Sequence, residues 1–236
     1  MAAAASSLLA PLLAEKLTHL EVLGSSTEIS WFKLNDQVLT VQRASPGSAR
    51  ALPTSIFTPV GSSLKSQLEL REAQLWLNGR ELRISRWWLP PRAQLSSYSG
   101  IFGPEPEVAT LLGRGAGLTP EGDDLIAGWL VAARSISHPS FETIWVQVKE
   151  NSTLRTTSFS AALLDYAGKG FGIESLINYV SARLTNAPNT QLMKRRLETV
   201  GHTSGKALAL GVEMAIGLVP DKFDPTRVFI EERANA

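Results

Sequence analysis

Apolar residues in the first part of the chain alternate with polar ones or come in short runs, whereas from Glu107 onward they recur every three or four positions. That change of period predicts strands first and helices afterwards, an α+β chain. Ile29–Leu34 and Val38–Val41 flank an Asn35-Asp36 turn and read as a hairpin. Leu75–Leu77, Asn78-Gly79 and Leu82–Ile84 read as a second one, because Asn-Gly supplies the positive φ of a type I′ turn. Ala44–Ser48 and Pro53–Ser63, rich in proline, glycine and serine, read as loops. Helices are predicted over Glu107–Leu112, Asp124–Ser135, Phe141–Lys149, Thr157–Ala167, Ile173–Leu184, Thr190–Val200 and Ser204–Leu218. The resulting organisation is a β-rich region over residues 1–91, a connection over 92–106 and a helical region over 107–236.

Within this frame several segments carry further information. Pro11 predicts a short helix with Leu13, Leu17 and Leu20 turned to the core. Met1–Ala14 is alanine- and leucine-rich like a leader, yet it lacks a basic n-region and Pro11 interrupts the apolar run. Trp87-Trp88 before Pro90-Pro91 predicts a packed seam, since buried aromatics supply core area. Ala207, Gly211, Ala215 and Gly217 are small and lie near turn spacing, which predicts close helix–helix approach. Val228–Ile230 reads as an edge strand.

Composition narrows the function classes. With 236 residues, 44% of them hydrophobic, the chain can bury a substantial core. The 23 basic and 22 acidic residues nearly cancel, so no global field draws nucleic acid or a membrane surface. The densest basic run, Lys194-Arg195-Arg196, has no aromatic interleaving and reads as a solvated helix face. Absence of cysteine excludes disulfides, thiolate nucleophiles and cysteine-ligated metals, and it fits a cytoplasmic protein. No segment has the length and apolarity of a membrane span.

The chemistry concentrates in Gly113-Arg114-Gly115-Ala116-Gly117-Leu118-Thr119-Pro120-Glu121-Gly122-Asp123-Asp124. Thr119-Pro120 reads as an N-cap followed by proline at the first helical position. Free N–H groups at a helix start attract an anion, but Glu121, Asp123 and Asp124 bring negative charge to the same place. Two readings of the acidic pair stand: first-turn carboxylates offsetting the helix dipole, or carboxylates that hold a cation such as Mg²⁺ or orient a substrate. Thr156-Thr157-Ser158 and His202-Thr203-Ser204-Gly205 place hydroxyls at two further helix starts, where capping is the competing reading. If the three converge, they form a pocket for a small anion with Arg114 and Arg155 at its rim, since arginine pairs its donors with carboxylates and phosphates. Its candidate catalytic residues are Asp123, Asp124 and His202, the last as a group able to polarise a carbonyl or move a proton near neutral pH. Its candidate binding residues are Arg114, Gly115, Gly117, Thr119, Gly122, Arg155, Thr157, Ser158, Thr203 and Ser204.

Gly-x-Gly-Leu-Thr-Pro-x-Gly-Asp-Asp, from Gly115 to Asp124, resembles the signature of a bacterial family that includes the AllH-type subunit of oxamate carbamoyltransferase. Thr156–Ser160 and Gly201–Gly205 resemble the family in order and spacing. The resemblance implies a subunit of a hetero-oligomeric enzyme of allantoin and purine breakdown that moves a carbamoyl group between carbamoyl phosphate and oxamate. It supplies positions rather than roles, and a non-catalytic, metabolite-binding or structural partner subunit is the alternative. Such a partner would present an apolar face to other subunits.

Overall fold

The computed structural model describes residues 2–25, 29–35, 37–42, 52–58 and 68–219. They divide into two compact units, Met1–Pro91 and Arg92–Ala236. Strands make up the first and helices the second, an α+β chain. The edge strand predicted at Val228–Ile230 lies outside the described residues.

The first unit holds β1 (Ala2–Ser6), α1 (Ala10–Ala14), β2 (Leu20–Ser25), β3 (Ile29–Leu34), β4 (Gln37–Gln42), β5 (Ser55–Phe57), β6 (Leu68–Arg71), β7 (Gln74–Leu77), β8 (Arg80–Glu81) and β9 (Arg83–Trp88). Six strands form one sheet in the order β2-β3-β4-β5-β1-β9, and β6-β7-β8 form a small antiparallel sheet. β3 and β4 pair antiparallel with Phe32 opposite Leu39, as the first predicted hairpin requires. Phe32, Leu39, Val41 and Ile56 of the large sheet share one core with Leu75 and Leu77 of the small one, with Leu12 of α1 and with Leu9 just before it.

One strand was not foreseen here, and two expectations needed revision. Ala2–Ser6 is an internal strand of the large sheet, next to the edge strand β9 and paired on its other side with β5. A run of alanines shows no alternation, so its two faces are invisible in sequence. The predicted helical face also stops early: α1 ends at Ala14, Leu17 is buried beyond it, and Leu20 opens β2. Pro53–Ser63, read as loop, contains β5, whose Ser55, Ile56 and Phe57 are all buried. The polar side chains there are satisfied sideways, with Thr40 Oγ1 and Ser55 Oγ 2.8 Å apart and Gln42 Nε2 donating to Ser55 Oγ at 2.9 Å.

The Asn-Gly hairpin forms only in part. Asn78 and Gly79 take φ of 52° and 72°, and Leu82 N–H donates to Leu75 O at 2.7 Å. From Arg83 the chain leaves β7 and pairs parallel with β1 instead, setting Trp87 beside Ala5 and Trp88 beside Ser6. Trp88 stacks on Phe57 with ring centroids 5.3 Å apart, and its indole N–H donates to Ser55 O at 3.3 Å. Trp87 is 51% exposed, so the expected seam is made by one tryptophan.

The second unit holds α2 (Val108–Leu111), α3 (Glu121–Ser135), α4 (Phe141–Arg155), α5 (Ser158–Gly168), α6 (Glu174–Leu184), α7 (Thr190–Glu198) and α8 (Ser204–Ala215). The helical period located all seven. Helix α3 is buried on nearly every face, including Leu125, Ile126, Trp129 and Ala133. It packs most extensively on α8, and two glycines make that possible. A Cβ at Gly128 would run into the Leu208 carbonyl, and one at Gly211 into the Leu125 carbonyl. The small residues of α8 thus serve backbone approach, as their spacing predicts.

Residues 92–106 carry no helix and bind along this unit through backbone bonds, Ala93 N–H to Gly170 O at 2.9 Å and Ser96 N–H to Ser135 O at 2.8 Å. Among the described residues, no helix is long and apolar enough to cross a membrane.

Candidate functional site

The three helix starts singled out in sequence meet at the first turn of α3. Helix α3 starts one residue later than Thr119-Pro120 suggests: Pro120 is the N-cap residue, and no side chain caps the helix. Thr119 is therefore free of capping duty, and its Oγ1 lies 3.4 Å from Ser204 Oγ, the first residue of α8. Thr157 does cap α5, accepting from Ser160 N–H at 3.0 Å, and its hydroxyl donates to Leu118 O in the glycine loop at 2.6 Å.

Asp123 ties the junction together. Its Oδ1 accepts from Gly113 N–H at 2.7 Å, and its Oδ2 accepts from Ser160 Oγ at 2.7 Å and from Thr156 Oγ1 in a short bond. One carboxylate, 1% exposed, thereby fixes the start of the loop, the end of α4 and the first turn of α5. Gly113 is required at that point. Its φ is 76°, and a Cβ would collide with the Arg155 carbonyl.

Asp124 is the opposite case. It is 8% exposed, and its Oδ2 has no hydrogen-bond partner among the described residues. Burial pushes its carboxyl up to about 7; the neighbouring Asp123 and Glu121 carboxylates add to the rise, while the Ser204 and Thr119 hydroxyls favour the charged form. An orphaned buried carboxyl oxygen is costly, and such groups concentrate where chemistry is done.

The remaining sequence candidates are distributed around this pair. Gly115 and Gly117 lie exposed in the loop at positive φ, and Gly122 is buried with its N–H on Arg114 O at 2.9 Å. The Arg114 side chain is half-buried and makes no hydrogen bond or ion pair with a described residue, whereas one Arg155 nitrogen is held on Ala109 O at 2.6 Å. Ser158 is exposed at the start of α5; Thr203 precedes α8 without capping it through its side chain. His202 is exposed in the turn before α8. His138, to which sequence assigned no role, is a core residue between the Trp129 and Phe102 rings.

Sequence reasoning passed over Thr156 and Ser160 as individual site residues. No local pattern pairs them, because Thr156 is extended at the end of α4 and Ser160 lies in the first turn of α5.

For a divalent cation the donor set is poor. Both Asp123 oxygens already accept from protein donors, and among the described residues no three His, Cys, Asp or Glu side chains gather as a metal-holding group. Of the acidic pair, only Asp124 keeps an oxygen without a donor among the described residues.

The model of the family described as oxamate carbamoyltransferase subunit AllH matches residues 111–216, from the last residue of α2 to just past α8. The family resemblance read from sequence is borne out over that stretch, which contains the whole junction. No solved structure matches the chain.

Proposed function

We propose that this chain is a subunit of an oxamate carbamoyltransferase-like complex and that the junction around Asp124 is its substrate site. The carrying observation is the buried, unpaired Asp124 oxygen inside the family-matched stretch. In the reaction the amide nitrogen of oxamate attacks the carbamoyl carbon of carbamoyl phosphate. A C–N bond forms, the C–O bond to phosphate breaks, and phosphate departs with the electron pair. The nitrogen gives up one proton, and Asp124 accepts it. A carboxyl held near pH 7 suits that task, because a base works best when its pKa is close to the operating pH. Arg114, whose guanidinium is uncommitted among the described residues, binds the anionic oxygens, and His202 polarises the carbamoyl carbonyl. Asp123 does not react; it holds the loop and α5 in register with Asp124.

The test is carbamoyl transfer by the chain assembled with its partner subunits. Asp124→Ala should lower the rate by at least ~100-fold, the lower range for a lost general base, and His202→Ala by about tenfold. Unchanged transfer and substrate binding in both variants would remove the site.

A non-catalytic partner role is favoured by a different observation. Ile101 and Leu218 are 81% and 53% exposed, and the Tyr98 hydroxyl, which donates to Ile101 O and Ile216 O, keeps their segments together. An apolar patch of that kind suits contact with another subunit. Both roles can belong to one chain.

A further inference from the structure

Residue types at the junction suggest an anion cradle, with three helix starts and many hydroxyls, but the donors there are largely taken. The N–H groups of Gly122, Asp123 and Asp124 bond to Arg114 O and Pro120 O, and those of Ser160 and Ala161 bond to Thr157. At the start of α8, Gly205 N–H is on Val200 O and Ala207 N–H on Thr203 O. Apart from the Arg114 guanidinium at the rim, acceptors are what remain. Asp124 Oδ2 has no partner, and the Thr119 and Ser204 oxygens face each other at 3.4 Å, so only one of their two hydrogens can lie between them. Each hydroxyl oxygen keeps lone pairs to offer. A phosphate or carboxylate oxygen set there would meet lone pairs and the negative charges of Asp123 and Glu121, which already act on Asp124.

We propose that Asp124, Thr119 and Ser204 form an acceptor-lined subsite that recognises the –NH₂ of a primary amide or ureido group, with Thr119 and Ser204 as specificity-determining residues. An –NH₂ has two hydrogens, one for Asp124 Oδ2 and one for a hydroxyl oxygen. A methyl group in its place has none and leaves the buried acceptor orphaned, the situation in which binding sites discriminate most sharply. The inference rests on the carbamoyltransferase reading for its probe, oxamate, and extends it by naming the atoms that select the substrate.

Oxamate and pyruvate differ only by –NH₂ against –CH₃ and make the test direct. Calorimetric titration of the full chain should show oxamate binding at least tenfold tighter than pyruvate, with urea competing for the same site. The ratio should fall toward one in Asp124→Asn, which keeps the shape, and severalfold in Ser204→Ala, which removes one acceptor together with its hydrogen bond to the Asp124 carboxyl. Equal affinities in the unmodified chain, an undiminished ratio in both variants, or no saturable oxamate binding would overturn the subsite. Absence of transfer by the assembled complex, with the binding preference intact, would instead defeat the transferase reading alone.

Discussion

Two carboxylate-centred clusters in the helical unit are built to different ends. In the first, Glu213 of α8 accepts from the Tyr179 hydroxyl of α6 at 2.8 Å and from Lys194 Nζ of α7 at 2.7 Å, with Arg183 3.6 Å away. Every strong group there has a partner, and three helices are joined by it. Burial is what chiefly pushes the Tyr179 hydroxyl up from its ordinary value, so it stays a neutral donor. In the second, at the first turn of α3, Asp123 is saturated while its neighbour Asp124 is left with an empty oxygen. A fold selected only for stability has no use for that arrangement, because an unpaired buried acceptor costs ~1–3 kcal/mol or more when charged. The contrast separates two kinds of carboxylate: Asp123 and Glu213 join elements together, and Asp124 keeps an unpaired oxygen, which the proposed function assigns to the substrate.

The comparison can be broken most severely at Asp123. Asp123→Ala leaves the Gly113 amide and the Thr156 and Ser160 hydroxyls without their acceptor, and denaturant unfolding should show a loss of ~3–5 kcal/mol. A loss below ~1 kcal/mol would mean that the junction is not held as described.

Asp124→Asn should act in the opposite direction. The folded-state value of about 7 lies above the ordinary 3.8, so between those pH values the folded protein keeps a proton that the unfolded chain has released. Stability at this residue is fullest below about pH 4, declines as pH rises, and levels off above about pH 7. The asparagine variant removes that decline and should be more stable than the unmodified protein at pH 8, by up to about 4 kcal/mol. Thermal melts from pH 4 to 8 measure it, and parallel profiles for the two proteins would contradict the assignment.

Breaking the other cluster should matter less. Glu213→Gln keeps an acceptor for Tyr179 and removes the charge facing Lys194, whose side chain is 27% exposed and can turn to solvent. A loss of ~1–2 kcal/mol is expected, partly recovered at high salt. As a baseline, Lys169→Ala removes an exposed pair with Asp165 and should cost no more than ~0.5 kcal/mol.

Much of this architecture was legible in the chain. Apolar residues at helical spacing located all seven helices of the second unit, because a helix that buries one stripe must repeat it every turn. Gly211 and the small residues spaced around it in α8 announced a close approach, and Asn78-Gly79 announced its turn. The alanine strand β1 and the short, serine-bounded β5 were not legible. Their place depends on neighbours on both sides rather than on their own pattern.

At the site the division is finer. Sequence determined that Asp123 and Asp124 sit together in the first turn of a helix behind a glycine loop, since glycine, proline and first-turn acids are local signals. It could not separate their roles, because adjacent helical residues point about 100° apart and meet different partners. Only the tertiary structure brought Gly113, Thr156 and Ser160 onto Asp123 and left Asp124 beside Thr119 and Ser204 with an oxygen unmatched. Local propensity is set by neighbours in the chain, whereas the satisfaction of a buried charge is set by residues that reach it from other helices.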